Sequence, residues 1–333
     1  MYNYVILKES AGYNMNFYPF KLKPYVSETI WGGRRLINEY GIETEKENAA
    51  EGWMLSCHES GLCTIANGKF AGRTLREICE EFPEICGKDS EKFDGFPILI
   101  KFIDACDDLS IQVHPTAEYC ELTGRGQSKT ECWYVLDTAP GACLIMGFKE
   151  KISSDEFRKS IEEGRVTDCV RKFNVKKGDF FFIESGTLHA ICKGVLLAEV
   201  QESSNTTYRI FDYNRLGKDG KPRELHVDDA VAVTKCEPYT PSQYCKDDIL
   251  YNGAKKVLAE CPLFKVSTLE IDGSFDGEAD ENSFVSLLVL EGDGTLTTKN
   301  GVLNLTKGDS VFIPASSGLY TVEGKISILE TTV

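Results

Sequence analysis

The chain has 333 residues, 42% hydrophobic and 27% charged, which is enough for two ordinary domains with real cores and is the composition of a soluble globular protein rather than a disordered or fibrous one. A formal net charge of −15 argues against a general nucleic-acid or membrane-surface binder, which needs basic patches, and makes any local gathering of Lys and Arg informative. The 13 cysteines run from Cys57 to Cys261 without a Cys-x-x-Cys pair, so a disulfide framework or thiolate zinc knot is not expected, and most should be buried reduced thiols.

In chain order, the opening stretch MYNYVILKESAGY has no charged region followed by a long apolar run, so no signal peptide is expected, and no later run approaches the length of a membrane span. Cytoplasm is the expected location. Trp31 with Gly32 and Gly33 reads either as a packed turn or as part of a site. Residues 75–82, LREICEEF, carry apolar residues at helical spacing. FPILIKFID, TECWYVLD and ACLIMGF follow as short apolar, β-branched runs separated by Gly and Asp, the pattern of strands in a sandwich or barrel. SSDEFRKSIEEG (153–164) is a second helix behind a Ser and Asp start signal, and RELHVDDAVAV (223–233) a third. DFFFIES and GVLLAEVQ lie between these two helices as further strands. Residues 236–248, CEPYTPSQYCKDD, are polar, hold two prolines and lack periodicity. We take 236–250 as a linker, with one domain over 1–235 and a second β domain over 251–333, which carries LFKVSTLEI, SFVSLLVLEG, DSVFIPA and ISILETT.

One phrase occurs in both domains: KGDFFFIESGTLHAI at 177–191 and KGDSVFIPASSGLYT at 307–321. Each opens on Lys-Gly-Asp, where Gly178 or Gly308 allows a tight turn, and runs through an apolar strand to a second turn. Only the first copy places a histidine, His189, after that turn. Upstream, LSIQVHP puts Gln112 and His114 two residues apart, hence on one face of a strand. KTECWYVL adds Glu131 on another strand. Two imidazoles, a carboxylate and a carboxamide oxygen make a candidate tetrad for a borderline cation such as zinc with room for water or substrate. A single strand histidine is more often a satisfied core residue than a ligand. What favours a site is the joint spacing: Gln-x-His, a Glu seventeen residues after His114, then Gly-x5-Glu-x-Gly-x-x-His. The other two histidines, His58 and His226, read as structural.

That spacing resembles the two cupin motifs, with His-x-His altered to Gln-x-His and the usual proline of the second motif replaced by Glu184. IWGGRRL, DLSIQVHP, KTECWYVL, GTLHAI, ESSNTTYRIFDYNR and GKPRELH together resemble class I phosphomannose isomerase in its short bacterial form, from about Pro19 to the C-terminus. The resemblance implies an all-β dominated double cupin, two jelly-roll barrels with a few short helices. It also implies zinc-dependent interconversion of mannose 6-phosphate and fructose 6-phosphate, in mannose metabolism, through an enediol. Its metal ligands fall on Gln112, His114, Glu131 and His189, holding one Zn2+ per chain. Its essential arginine falls on Arg209, its active-site glutamate on Glu199, and the lysine before the metal-binding glutamate on Lys129. The second cupin, without ligand spacing, is expected to be structural.

The chemistry suits these residue types. Isomerisation needs a base, an electrophile and a cation for phosphate, with Glu199 and Lys129 as acid/base candidates and Arg209 stabilising the enediolate or gripping phosphate. Lys101 and Ser110 are candidates for the anion pocket, while Lys101 and Arg215 can equally be solvated surface charges. Where longer relatives read His-Lys-Pro-Glu this chain reads Ser128-Lys129-Thr130-Glu131, so no ring-opening histidine carries over, and the helical insertion of the longer forms has no room. An iron dioxygenase shares the fold, but such sites favour nitrogen-rich ligands and Gln112 weakens that reading. A non-catalytic sugar-phosphate binder has no use for Glu199, Lys129 and Arg209 beside a metal set. The expected partner is a small sugar phosphate, in a monomer or homodimer; no nucleotidyltransferase segment is expected ahead of the isomerase.

Overall fold

The computed structural model describes residues 16–217, 220–246, 250–251 and 254–333. The stretch MYNYVILKESAGY lies outside them. Among the described residues no helix is long and apolar enough to cross a membrane.

Strands dominate, and they form three antiparallel sheets. A six-stranded sheet runs in the order Phe180–Ile183, Glu131–Thr138, Val195–Glu202, Ile98–Asp104, Glu51–Leu55, Tyr25–Ser27. A five-stranded sheet runs Tyr208–Phe211, Ile111–Val113, His189–Ile191, Cys143–Phe148, Val170–Asn174. Trp133, Ile103, Ile183 and Leu197 of the first pack with Leu144, Met146 and Ile191 of the second, closing the N-terminal barrel. The opposite face of the six-stranded sheet supplies Ile100, Phe102, Phe182 and Val200 to a core shared with Leu288 and Phe312 of the third, nine-stranded sheet and with Phe264 and Phe284, which lead into two of its strands. Covered on both faces, the Ile98–Asp104 strand is buried at every residue, which is why FPILIKFID reads as a continuous apolar run rather than an alternating one.

The C-terminal barrel is built on three long strands, Lys265–Ala279, Val285–Thr298 and Gly318–Thr332. Its interior is filled by Leu269, Ile271, Phe275, Leu287, Val289, Val311, Val322 and Ile328. We keep 236–250 as the proposed boundary along the chain, with one addition from the sheet pairing. Phe20–Lys23 pairs with Ser310–Ile313 on one side and Thr64–Ile65 on the other, so an N-terminal segment extends the C-terminal sheet. Register pairs such as Phe20 with Phe312 bring stacked aromatic rings into the shared core.

Both copies of the repeated phrase adopt one backbone: Gly178 and Gly308 have the same φ of +89°, a left-handed conformation that side chains rarely take. At Gly308 a Cβ would also stand 2.1 Å from the Tyr40 carbonyl oxygen. The three expected helices form as Leu75–Glu81, Ser154–Glu162 and Val227–Val233. The first two start on capping boxes, Thr74 with Glu77 and Ser153 with Glu156. The third starts later than its sequence pattern suggests. Arg223 is drawn out of the helix to the buried Asp212 carboxylate, and His226 becomes the N-terminal flanking residue. Glu184, where relatives of this motif have proline, ties the phrase to the linker by accepting from the Ser242 hydroxyl at 2.6 Å and from Lys235 Nζ at 3.2 Å.

Candidate metal centre

Register places two rows of side chains on facing walls of the N-terminal barrel. Arg209 is opposite Gln112, and Gln112 opposite His189, on the five-stranded sheet. Trp133, Glu199, Lys101 and Trp53 are successive partners across the six-stranded sheet. Directly opposed residues project to the same face, so each row lines one wall. Glu131, two residues before Trp133, shares the face of that row, and His114 lies two residues beyond Gln112.

Both histidines of the cluster are oriented from behind. His114 Nδ1 lies 2.9 Å from the Thr206 carbonyl oxygen and His189 Nδ1 lies 2.9 Å from that of Thr187. A carbonyl only accepts, so each Nδ1 carries the proton and each Nε2 presents a lone pair. Those nitrogens stand 3.3 and 3.5 Å from the two oxygens of Glu131, and the three ligand atoms lie within 4.8 Å of one another. The Gln112 amide is 3.3 Å from His189 Nε2. Its nitrogen is the natural neighbour of a bare imidazole lone pair, and a half-turn of the amide presents the oxygen instead.

Electrostatics keep these groups as acceptors. Burial, reinforced by the Lys129 charge, lowers the His114 pKa to about 3, and burial lowers His189 as well. For Glu131 burial acts to raise the pKa, but the Lys129 ammonium and the neighbouring imidazoles outweigh it and hold the carboxyl well below its ordinary range. Lys129 Nζ is 2.7 Å from Glu131 Oε2, yet neither carboxylate oxygen, nor His114 Nε2, has a partner in hydrogen-bonding geometry. We read the lysine contact as an ion pair. Buried acceptors facing one another without donors are costly unless a cation lies between them. Two imidazole nitrogens, a carboxylate and an amide oxygen are the donor set of a divalent transition metal, so the residues present fit such an ion.

A second cluster adjoins the first. Trp133 Nε1 donates to Glu199 Oε2 at 2.9 Å, while Glu199 Oε1 faces Lys101 Nζ at 3.2 Å and Lys129 Nζ at 3.8 Å. Lys101 also lies 3.7 Å from Glu51 Oε2 and sits over the Trp53 ring, whose Nε1 donates to Glu51 at 2.7 Å. Burial alone would lower the Lys101 pKa, but Glu51 and Glu199 outweigh it and raise it. Lys101 is therefore no solvated surface charge: it is a buried cation between two carboxylates. That position leaves its charge already compensated, which weighs against its expected place as a free phosphate ligand.

Arg209 donates from Nη1 to the Glu224 carbonyl at 2.9 Å, and its Nε is buried without a partner. Burial, then the nearby Arg223 charge, lowers its pKa from a very high starting value, leaving it cationic. Ser110 is buried just ahead of the Ile111–Val113 strand that carries Gln112. Arg215 is held by Asp212 at 2.7 Å and by the Asp108 carbonyl. Trp31 is buried, and a Cβ on Gly32 would come within 2.4 Å of Ala50 Cβ, which makes the Trp-Gly-Gly segment a close-packed turn. His226 Nδ1 accepts the Arg209 backbone N–H at 3.1 Å, and His58 Nδ1 accepts that of Ser60. Neither belongs to the metal cluster. Glu51, Trp53 and Trp133 escaped sequence reasoning. The one available signal was period-2 alternation, which puts Trp133 on the Glu131 face; nothing local joins Glu51 or Trp53 to Lys101.

Residues 19–138 match the catalytic domain of phosphomannose isomerase type I, and residues 254–333 match the mannose-6-phosphate isomerase cupin domain. The mannose-6-phosphate isomerase of Streptococcus mutans is 35% identical over 315 residues, covering 93% of this chain and 97% of that protein. The crystal structure of the mannose 6-phosphate isomerase from Bacillus subtilis superposes with a TM-score of 0.87 at 34% identity, over 95% of this chain and 99% of that one. A structure of mannose 6-phosphate isomerase described as holo and zinc bound shares the fold at 18% identity, with a TM-score of 0.76 over 94% and 98% of the two chains.

Proposed function

The chain belongs to the type I phosphomannose isomerase family, and on that premise we propose that it interconverts mannose 6-phosphate and fructose 6-phosphate with one Zn2+ held by Gln112, His114, Glu131 and His189. The observation that carries this reading is the pair of imidazoles whose Nδ1 protons are fixed on backbone carbonyls, so that both Nε2 lone pairs meet an orphaned carboxylate. A bound zinc ion supplies Lewis acidity, polarising the sugar oxygens at C1 and C2.

The protein's own groups move the proton. Glu199 is oriented by Trp133 through Oε2, which leaves Oε1 as the basic edge facing Lys101 and Lys129. We assign Glu199 to take the proton from C2 of the aldose and return it to C1, with Lys129 as its acid partner. Lys101 and Glu51 hold Glu199 in place and balance its charge inside the barrel. Arg209, with an uncommitted buried Nε on the wall beside Gln112, stabilises the enediolate or the phosphate through a planar fork that an ammonium cannot reproduce. Ser110, buried beside the Gln112 strand, remains a candidate phosphate contact. All 13 cysteines are free thiols, which suits the cytoplasmic location we propose.

A coupled assay tests the function. Mannose 6-phosphate should yield fructose 6-phosphate, activity should vanish on chelation, and added zinc should restore it. Oxygen consumption without isomerisation would make the chain a different metalloenzyme on this fold.

A further inference from the structure

We propose that Cys143 and Cys192 are a redox modification site: a hydroperoxide converts them to a cross-strand disulfide that reversibly slows the metal centre a few residues away. The backbone already places them for it. The Cys143–Phe148 and His189–Ile191 strands pair with Ile191 opposite Leu144, so the next pair outward is Cys192 opposite Cys143, with Cys192 N donating to the Cys143 carbonyl at 3.2 Å. Directly opposed residues in an antiparallel pair have Cα atoms roughly 4.5–5.5 Å apart, inside the range of about 4.4–6.8 Å that a disulfide accepts. Directly opposed side chains project to the same face of the pair, so the two thiols face each other.

Access and reactivity are divided between them. Both line a cleft of about 570 Å³ that also presents Lys172 and Asp108, with Cys143 half-buried and Cys192 buried. The neighbouring Cys192 thiol and the Lys172 charge, working against burial, bring the Cys143 thiol down to about 7. Cys143 is thus the attacking thiolate and Cys192 the resolving thiol. The Cys143 sulfur attacks the hydroxyl oxygen of the hydroperoxide, an S–O bond forms, the O–O bond breaks, and the leaving hydroxide or alkoxide takes up the proton that the thiol released and departs as water or alcohol. The Cys192 sulfur then attacks the sulfenic acid, an S–S bond forms, the S–O bond breaks and water leaves with the thiol proton. Two thiols lose two electrons and two protons, and one hydroperoxide is reduced. Thiol reductants reverse the bond.

The connection to the site is short. Cys192 lies three residues beyond His189. The Ile191 carbonyl accepts from Leu109 N at 2.9 Å, and Lys193 N donates to Asp108 Oδ1 at 2.7 Å. Leu109 opens the segment that carries Ser110, Gln112 and His114. Drawing the two sulfurs together to about 2.05 Å therefore pulls on both ligand-bearing segments at once; a misplacement of about 1 Å can cost about 10²-fold in rate, and a smaller one here should cost roughly tenfold. This second half rests on the isomerase reading; the crosslink does not.

The metal-loaded protein is treated with hydrogen peroxide, its free thiols are alkylated, and the products are mapped as peptides beside turnover. Cys143 should be found linked to Cys192, turnover should fall roughly tenfold and recover with dithiothreitol, and Cys143→Ser should keep its turnover under the same dose. The proposal is overturned if Cys143 remains alkylatable while Cys57, Cys79 or Cys86 has oxidised, or if Cys143→Ser loses turnover as the native chain does. A chain that forms the bond but never isomerises mannose 6-phosphate overturns the function proposed above and leaves the disulfide standing.

Discussion

Acidifying the metal-free protein tests the burial of His114. In the fold this side chain is 1% exposed, and burial with the Lys129 charge lowers its pKa from 6.5 to about 3. In the unfolded chain it returns to about 6.5. Between those values the unfolded state binds a proton that the folded state refuses, so stability rises with pH across the window. The stabilising contribution is fully present above about 6.5 and is lost progressively as the pH falls below it. One group displaced this far contributes about 1.4 kcal/mol of loss at pH 5.5. His189 is lowered by burial with the same sign, so it adds to the loss over the same window. Glu131, also held below its ordinary value, adds a loss only once the pH drops through the usual carboxylate range. Urea unfolding of chelated protein at several pH values in this window measures the slope, and His114→Gln should reduce it by the His114 share, about 1.4 kcal/mol by pH 5.5. The variant's absolute stability is immaterial, because only the slope is read, and His58, lowered by burial in both proteins, contributes a common background. A native slope near zero, or one unchanged in His114→Gln, would show that His114 protonates in the fold as it does in water.

Three further substitutions probe the chemistry. Arg209→Lys keeps the charge and loses the fork, so turnover should fall about 10²–10³-fold with metal content unchanged; near-native turnover would reduce Arg209 to a surface charge. Glu199→Gln keeps shape but removes the basic oxygen, so the variant should bind metal and substrate yet neither isomerise nor exchange C2 hydrogen with solvent; exchange at the native rate would hand the proton to Lys129. Trp133→Phe retains the edge contact with His189, whose ring centroid lies 5.3 Å away, but removes the donor to Glu199. A lost hydrogen bond to a buried charge is worth about 1.5–3 kcal/mol, so kcat should drop roughly tenfold or more while KM and zinc content hold; a change in KM alone would make Trp133 a wall and not a positioning residue.

The residues that meet in the candidate cluster were legible because their pattern is local. Gln112 and His114 share a strand face by alternation, and Glu131 and His189 each sit within a short motif. Glu51 and Trp53 were not legible, since they reach Lys101 only through the pairing of two strands nearly fifty residues apart. The same limit hid the Phe20–Lys23 strand, whose partner is about 290 residues along the chain. Lys101 shows the limit of composition: nothing local distinguishes a buried lysine between two carboxylates from a solvated one. At residues 223–226 the helical pattern was real, but Asp212 offered Arg223 a buried ion pair that helix propensity cannot match. The repeated Lys-Gly-Asp phrase was legible at both levels, because a left-handed glycine is a backbone requirement written directly as a residue type.

Metal stoichiometry is the most direct test of the central claim. Elemental analysis of the purified native chain should find about one divalent ion per chain, chiefly zinc, and Glu131→Gln should lose it while retaining native secondary structure. Full occupancy in the Glu131→Gln protein would remove the four-residue site, and two ions per native chain would contradict a single centre by requiring a second one in the apolar C-terminal barrel.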